Sequence, residues 1–470
     1  MIVMSSAPVG IKSVMHEILH SKSGVAGVVI LALILLTSLT AVVFPDNIVE
    51  RWNDPQAWLD KPRLAAPEWT TFFTGENPSR TIIVKIQDFK RDVQRIEQLN
   101  VTKIELRARV VYDYDTPPSE LNIMINLVSE ARSLLSVEWI RPDGSTVELL
   151  REVAEPGTKA VFAYIDRTVA SNVNAYLQKL GISQSLPIGV VLFSSEKSLA
   201  SGVPKLIKSH DVKPSRPYEL VVVATSESKG FDVEAQLNLL GVVYGLCGTD
   251  NLRRDIFIGI VWGAPIALAF GLVAAFVVTL IQAIFGAISG YYGSKIDEII
   301  QRITDVYLVL PFLSLLITIQ FIYKTTIWTL LIAVIALSLF GGVTKSVRSM
   351  ALQVREEPYI EAAKSYGASK RRILFLYILP RLLPYTFANI TVSVPAYVFL
   401  EASLSILGLG DPALPTWGKL ISEAFSGGAA YYGYWWWIII PSTFIVLVST
   451  AFALLWYSLD KVLNPRLREE

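Results

Sequence analysis

Residues 256–294 read IFIGIVWGAPIALAFGLVAAFVVTLIQAIFGAISGYYGS, with no charged side chain between Asp255 and Lys295. A helix rises about 1.5 Å per residue, so about 20 apolar residues cross a hydrocarbon core of roughly 30 Å. The run exceeds one ordinary span, and its end dissolves into Gly286, Gly290, Gly293 and the pair Tyr291-Tyr292. We read one crossing, Ile256 to Ile284, that leaves through an interfacial glycine–tyrosine segment.

Other uncharged runs extend the pattern. Gly24 to Phe44 is long enough to span and reads as a retained signal anchor, because cleaved signal peptides carry apolar regions of only about 7–15 residues. Val306 to Tyr323 and Thr325 to Thr344 are separated only by Lys324, which marks a tight hairpin. Leu382 to Leu400 is a fifth span, and a sixth lies within Ala424 to Leu459, entered through an aromatic belt at Trp435-Trp436-Trp437. The expected fold is a polytopic α-helical membrane protein with six transmembrane helices.

Orientation follows from a short loop. Lys345 to Arg381 carries eight basic residues, Lys345, Arg348, Arg355, Lys364, Lys370, Arg371, Arg372 and Arg381, against Glu356, Glu357 and Glu361. The positive-inside rule places this loop in the cytoplasm. Counting back puts the N-terminal tail, with Lys12 and Lys22, inside, and the C-terminal tail, with Lys461, Arg466 and Arg468, inside as well. The expected organisation is a tail at 1–23, a first helix at 24–44, an extracytoplasmic region at 45–255, a five-helix core at 256–460 containing the basic loop 344–381, and a second tail at 461–470.

Residues 45–255 have a different character. Charges are frequent and apolar runs shorten to strand length at Thr81–Ile86, Val101–Tyr114, Pro187–Ser194 and Glu219–Thr225. Ser136–Ile140 and Thr146–Leu150 flank Arg141-Pro142-Asp143-Gly144-Ser145, a hairpin with turn chemistry in its loop. Ala170–Leu180, closed by Gly181, reads as a short helix. About residues 70–243 form an inserted β-rich domain, α+β or sandwich-like. It carries no legible chemistry: no paired carboxylates, no Ser/His/Asp spacing and no phosphate loop. His210 reads as a surface histidine, and Asn100-Val101-Thr102 is a glycosylation sequon on the expected outer side.

Composition narrows the function. The chain is 52% hydrophobic and 18% charged, and its 42 basic residues nearly balance 41 acidic ones, so no net field steers it toward nucleic acid. A single cysteine, Cys247, excludes an intramolecular disulfide and a cysteine-rich metal site. The histidines are His16, His20 and His210, with no metal-ligand pair in an apolar segment. Gly341-Gly342-Val343-Thr344-Lys345-Ser346 ends like a phosphate loop, but Thr344 replaces the glycine that wraps the phosphate. Gly408-Leu409-Gly410-Asp411 matches an intramembrane aspartyl-protease motif, which needs a second aspartate. The candidate partner Asp305 falls at the opposite membrane face, and no span holds a histidine to activate a serine. No catalytic residue is expected, and no bound metal.

The basic loop contains the informative motif. Arg355 to Ile373 reads REEPYIEAAKSYGASKRRI, followed by Ile378-Leu379-Pro380. Pro358 at a helix start, small Ala362 and Ala363, and Gly367 at a break describe two short helices meeting at a tight turn, with Lys370-Arg371-Arg372 charging the second. The segment resembles the Glu-Ala-Ala loop of ABC importer permeases, in the form found in the dipeptide/oligopeptide family. Gly248-Thr249-Asp250-Asn251-Leu252 with Arg254-Asp255 resembles the family's GTD…GRD signature. Gly290-Tyr291-Tyr292-Gly293 with Asp297, Arg302 and Asp305, Leu400–Gly410, Pro415-Thr416-Trp417-Gly418 and Asn464–Arg468 agree in turn. The resemblance covers about residues 10–69 and 245–468 and is nearest to the "C"-type subunit. It omits about 70–243, a large insertion. Arg253 stands where the family has glycine, and Arg381 where asparagine is common.

The resemblance implies a permease subunit of an ATP-driven importer that forms half of a pathway for peptides or other oligomeric solutes. Tyr359, Glu361, Ala362, Ala363, Lys364, Gly367, Ala368, Lys370 and Arg371 would couple to ATPase subunits, with Glu361 as polar contact and Gly367 as the turn. Pro311, Glu401 and Ser403 are candidates for the pathway or gate; for Glu401 the competing reading is a structural carboxylate paired with backbone N–H groups or an arginine. Implied partners are a homologous permease subunit, two cytoplasmic ATP-binding subunits that use ATP and Mg, an extracytoplasmic substrate-binding protein and the lipid bilayer, with no nucleic acid. No cofactor is expected on this chain. Import of oligosaccharides, or a receptor or sensor role for the inserted domain, are the alternatives.

Overall fold

The computed structural model describes residues 18–40, 48–97, 101–212, 214–228, 230–323 and 326–463. The sequon's Asn100, the Lys324-Thr325 turn, most of the N-terminal tail and the Asn464–Arg468 motif lie outside the described residues. In chain order the helices are α1 Lys22–Leu39, α2 Ile48–Asn53, α3 Thr71–Thr74, α4 Arg167–Lys179, α5 Ile188–Phe193, α6 Glu196–Ala200, α7 Ile256–Tyr292, α8 Ser294–Val309, α9 Phe312–Tyr323, α10 Ile327–Leu337, α11 Gly342–Arg355 and α12 Pro358–Ser365. α13 Lys370–Leu409, α14 Trp417–Ser426, α15 Ala429–Tyr432 and α16 Trp435–Leu463 follow. Residues 54–257 form one compact unit, and 1–53 with 258–470 form another.

The 54–257 unit is β-rich, as the alternating patterns predict. Its strands are β1 Ile82–Val84, β2 Lys90–Ile96, β3 Val101–Val110, β4 Glu120–Val128, β5 Ser133–Ile140, β6 Thr146–Ala154, β7 Gly157–Phe162, β8 Tyr218–Ser226 and β9 Asp232–Leu240. They make two antiparallel sheets, ordered β1-β9-β4-β7 and β2-β3-β8-β5-β6. Alternate residues of both sheets, such as Leu121, Ile123 and Ile125 on β4 and Leu220, Val222 and Ala224 on β8, feed one apolar core. The expected hairpin forms between β5 and β6, with Trp139 opposite Val147 and Ile140 opposite Thr146.

One strand expectation fails. Pro187–Ser194 is not extended; Ile188–Phe193 is the helix α5. A short apolar run does not distinguish a buried strand from a buried helix. The deciding contact is Arg141 in the β5–β6 turn, whose buried guanidinium donates to the carbonyls of Val191 (3.0 Å) and Ser194 (2.7 Å). It thereby satisfies acceptors that the end of a helix leaves open.

In the other unit, α1, α7, α13 and α16 are the helices long and apolar enough to cross a membrane among the described residues, and up to six crossings result if each of two bent pairs counts as one. The expected Val306–Tyr323 helix is in fact α8 and α9, bent by 73° at Leu310-Pro311. The expected Thr325–Thr344 helix is α10, followed by α11 at 45°. Proline lacks the N–H that would continue the ladder, which accounts for the first break. The glycine–tyrosine segment is also corrected: α7 stays helical to Tyr292. Gly286 and Gly290 lie against α11, where a Cβ would come within 2.6 Å of Thr344 O and 2.7 Å of Ala351 Cβ. These glycines are four apart so that two backbones can touch.

Candidate functional site

The sequence-singled loop 344–381 forms an elbow rather than two short helices. Pro358 opens α12 with Glu357 at the N-cap, and Gly367 reverses the chain at φ +77°. Gly367 N–H donates to Lys364 O (2.9 Å) and Ala368 N–H to Ala363 O (3.0 Å). Ser369 then caps the next helix by accepting from Arg372 N–H. That helix is α13, with a π-helical turn at Leu374–Ile378, so the second short helix is the first turn of a long one.

Packing splits the residues of the motif. Ile360 and Ala363 are buried, joining Ile373, Leu374 and Ile378 of α13 with Val347 and Ala351 of α11 in one apolar cluster. Glu361, Ala362, Lys364, Gly367, Lys370 and Arg371 are exposed, Ala368 is half-buried, and Tyr366 is 92% exposed. Ala362 and Ala363 therefore do different work: one faces outward, the other seats the elbow. Partial burial raises the Tyr359 phenol above its usual value, and the nearby positive Arg381 opposes that shift. The Arg381 departure thus lies beside the elbow.

An ion-pair layer beneath the elbow escaped the sequence reading. Asp297 of α8 accepts both Nε and Nη2 of Arg348 on α11 at 2.5 Å, a bidentate pairing, and also the Ser289 hydroxyl of α7 at 2.5 Å. Lys345 of α11 meets Asp305 of α8 at 2.6 Å. The only sequence signal was the opposite charge of the two segments, with no spacing to pair them.

The candidate pathway residues are not brought together as a site. Glu401 is buried on α13 and its Oε1 accepts the hydroxyls of Ser405 (2.9 Å) and Thr416 (2.8 Å). These donors are hydroxyls rather than the backbone N–H groups or arginine of the structural reading. Thr416 is also the N-cap of α14, so the carboxylate ties the end of α13 to the start of α14. Ser403 turns back to Phe399 O (2.8 Å), and Pro311 is exposed at the α8–α9 bend. The aspartates of the rejected protease motif are engaged separately: Asp305 by Lys345, and Asp411 as acceptor from Ile327 N–H at the start of α10. Among the described residues no group of three or more His, Cys, Asp or Glu could hold a metal.

The GTD…RRD segment folds as a knot in the β-rich unit. Asp250 accepts Leu252 N–H, Arg254 N–H and Arg254 Nε, the last at 2.6 Å in a fully buried pair. Arg253 sits at φ +68°, the left-handed region that favours glycine, the residue expected here from the resemblance. Its guanidinium reaches Glu120 of β4 at 2.7 Å and Lys61 O at 3.1 Å.

Comparison with known proteins now bears on this geometry. Residues 282–469, which include the elbow and Glu401, match the family described as binding-protein-dependent transport system inner membrane component. The oligopeptide transport system permease protein OppC of Bacillus subtilis is 35% identical over 223 residues, covering 47% of this chain and 72% of that protein. The chain belongs to this permease family. The permease is 35% identical over 222 residues to the dipeptide transport system permease protein DppC of the same organism, covering 47% and 68% of the two chains. It shares 35% over 222 residues with the glutathione transport system permease protein GsiD of Pectobacterium atrosepticum, covering 47% and 72%. The permease is thus a multi-pass inner-membrane component of a binding-protein-dependent ABC importer.

Proposed function

We propose that this permease forms half of a peptide pathway, paired with a homologous permease, served by an extracytoplasmic binding protein and driven by two cytoplasmic subunits that hold ATP and Mg. The cargo follows the names of its relatives, which are oligopeptide, dipeptide and glutathione permeases. In this reading the chain crosses six times with both termini cytoplasmic, and the basic loop that forms the elbow faces the ATPase subunits. The observation that carries the reading is the two-sided elbow. Glu361, Ala362 and Tyr366 face outward while Ile360 and Ala363 lock into α11 and α13. A projecting helix that cannot move without its base is suited to act as a lever: closure of the ATPase pair shifts it, and the helices switch between inward- and outward-open states.

The test uses proteoliposomes containing the assembled transporter. Ala362→Arg changes only an exposed position, so it leaves insertion intact but blocks ATPase association and ATP-driven uptake of labelled peptide. Wild-type uptake by Ala362→Arg would overturn the docking role. Uptake of oligosaccharide and not peptide would overturn the cargo.

A further inference from the structure

Between α10 and α11 the helical ladder is interrupted at 338–341, and side chains from α7 and α8 close around the gap. Ser338 N–H reaches back only to Ile335 O (3.1 Å), and the next turn begins with Thr344 N–H on Gly341 O (3.1 Å). A helix end leaves its last carbonyls without intrahelical partners. Here the Gln282 amide of α7 donates through Nε2 to Ser338 O at 2.6 Å, and the Tyr307 hydroxyl of α8 donates to Ala336 O at 3.3 Å. Phe340, inside the gap, packs its ring against Phe285 (centroids 4.7 Å apart) and Tyr307 (5.3 Å).

Gln282 is buried, and it is the only amide side chain in the uncharged run 256–294. A polar side chain in an apolar helix is suited to tie that helix to a neighbour. Gly341 is extended at φ −177°, so any residue fits its backbone; what demands glycine is Gln282, since a Cβ would stand 2.8 Å from Nε2 and 3.2 Å from Cδ and Oε1. The two sides of the gap serve different neighbours. α11 seats the elbow through Val347 and Ala351, whereas Leu330, Leu331 and Val334 of α10 share an apolar cluster with Leu316 of α9 and Leu404 of α13. Residues at the ends of helices are where large backbone changes are absorbed, so an unheld gap here would take up any tilt of α11.

We propose that Gln282 is a positioning residue for energy coupling, a role that rests on the lever function given to the elbow. Its amide pins the 338–341 gap to α7, so that a tilt of α11 passes into α10 instead of being spent as a bend. The test measures uptake of a tritiated mixture of short peptides together with phosphate release, in proteoliposomes holding the assembled transporter and normalised to inserted protein. Gln282→Leu keeps the volume and removes the donor, while Gly341→Ala leaves Gln282 in place and displaces its amide. Both should lower the peptide taken up per ATP hydrolysed several-fold while hydrolysis continues. Gly341→Ala should cost nothing further in a Gln282→Ala background, where its Cβ has no amide to displace. Ser458→Ala, which removes the buried hydroxyl contact between α16 and Ser21 (2.6 Å), should leave the ratio at the wild-type value. An unchanged ratio in either Gln282→Leu or Gly341→Ala, or uptake and hydrolysis falling in step, would make the amide a packing contact and overturn the proposal. Wild type that hydrolyses ATP without uptake would overturn the proposed peptide import itself, and this role with it.

Discussion

Gly367 offers a quantitative test of the elbow, because its cost is confined to the backbone. No atom lies within 4 Å of where its Cβ would be, so a side chain here meets no clash. The φ of +77° is the sole obstacle, at about 1–2 kcal/mol for an ordinary L-residue. Opposing it are the Gly367–Lys364 and Ala368–Ala363 hydrogen bonds and the buried Ile360, Ala363 and Ile373. Burial of such side chains contributes about 1.5–3 kcal/mol for each large one. Gly367→Ala should therefore weaken the bent state by a factor of about 5–30 without unseating it. Gly367→Asn, whose side chain tolerates the left-handed region, should lose less. Gly367→Asp combines a milder backbone cost with a carboxylate on the exposed docking face and should abolish ATP-driven uptake while insertion survives. Uptake into proteoliposomes, normalised to inserted protein, gives the order wild type, Asn, Ala, Asp. Normal uptake by the Asp variant would defeat the coupling assignment, and equal losses for Ala and Asn would refute the backbone argument.

Other perturbations separate further parts of the structure. Arg253→Gly relieves a positive φ worth about 1 kcal/mol but loses a pair with Glu120 worth at most about 1 kcal/mol, so thermal stability should barely move. Arg253→Ala keeps the strain, loses the pair and should melt lowest of the three. Burial pushes the Asp255 carboxyl up to about 6, against an unfolded value of 3.8. The folded state then binds this proton more tightly, so stability rises as pH falls from 7.5 through 6 and levels off near 4, by at most about 3 kcal/mol. Melts at pH 5 and 7.5 should lose that difference in Asp255→Asn. Glu401→Gln retains an acceptor for Ser405 and Thr416 and should be tolerated, whereas Glu401→Leu strands two buried hydroxyls at about 2–4 kcal/mol; equal melting points would contradict the tie between α13 and α14.

What the sequence made legible follows from the range of the physics involved. Uncharged runs located the membrane helices, because solvation by lipid acts residue by residue. Pro358 and Gly367 disclosed the turn between two helices, because helix starts and turns depend on neighbours two to four positions away, whereas the cap at Ser369 came only with the fold. The errors arose where the deciding partner is distant in sequence. Gly286 and Gly290 resemble a helix end until Ala351, some sixty residues later, shows that they admit a backbone. Pro187–Ser194 resembles a strand until Arg141, fifty residues earlier, caps it as a helix. Ala362 and Ala363 read as one small-residue surface, although only the position of α13 determines which faces inward. Glu401 follows the same rule: its burial was foreseeable from its place in an apolar run, but its two hydroxyl partners required the fold, since Thr416 reaches it only after the chain has turned at Gly408, at φ +77°. The elbow was therefore readable as a shape, while the packing of Ile360 and Ala363 against α11 and α13, and the Asp297–Arg348 and Lys345–Asp305 pairs that join α8 to α11 beside it, appear only once the helices are packed.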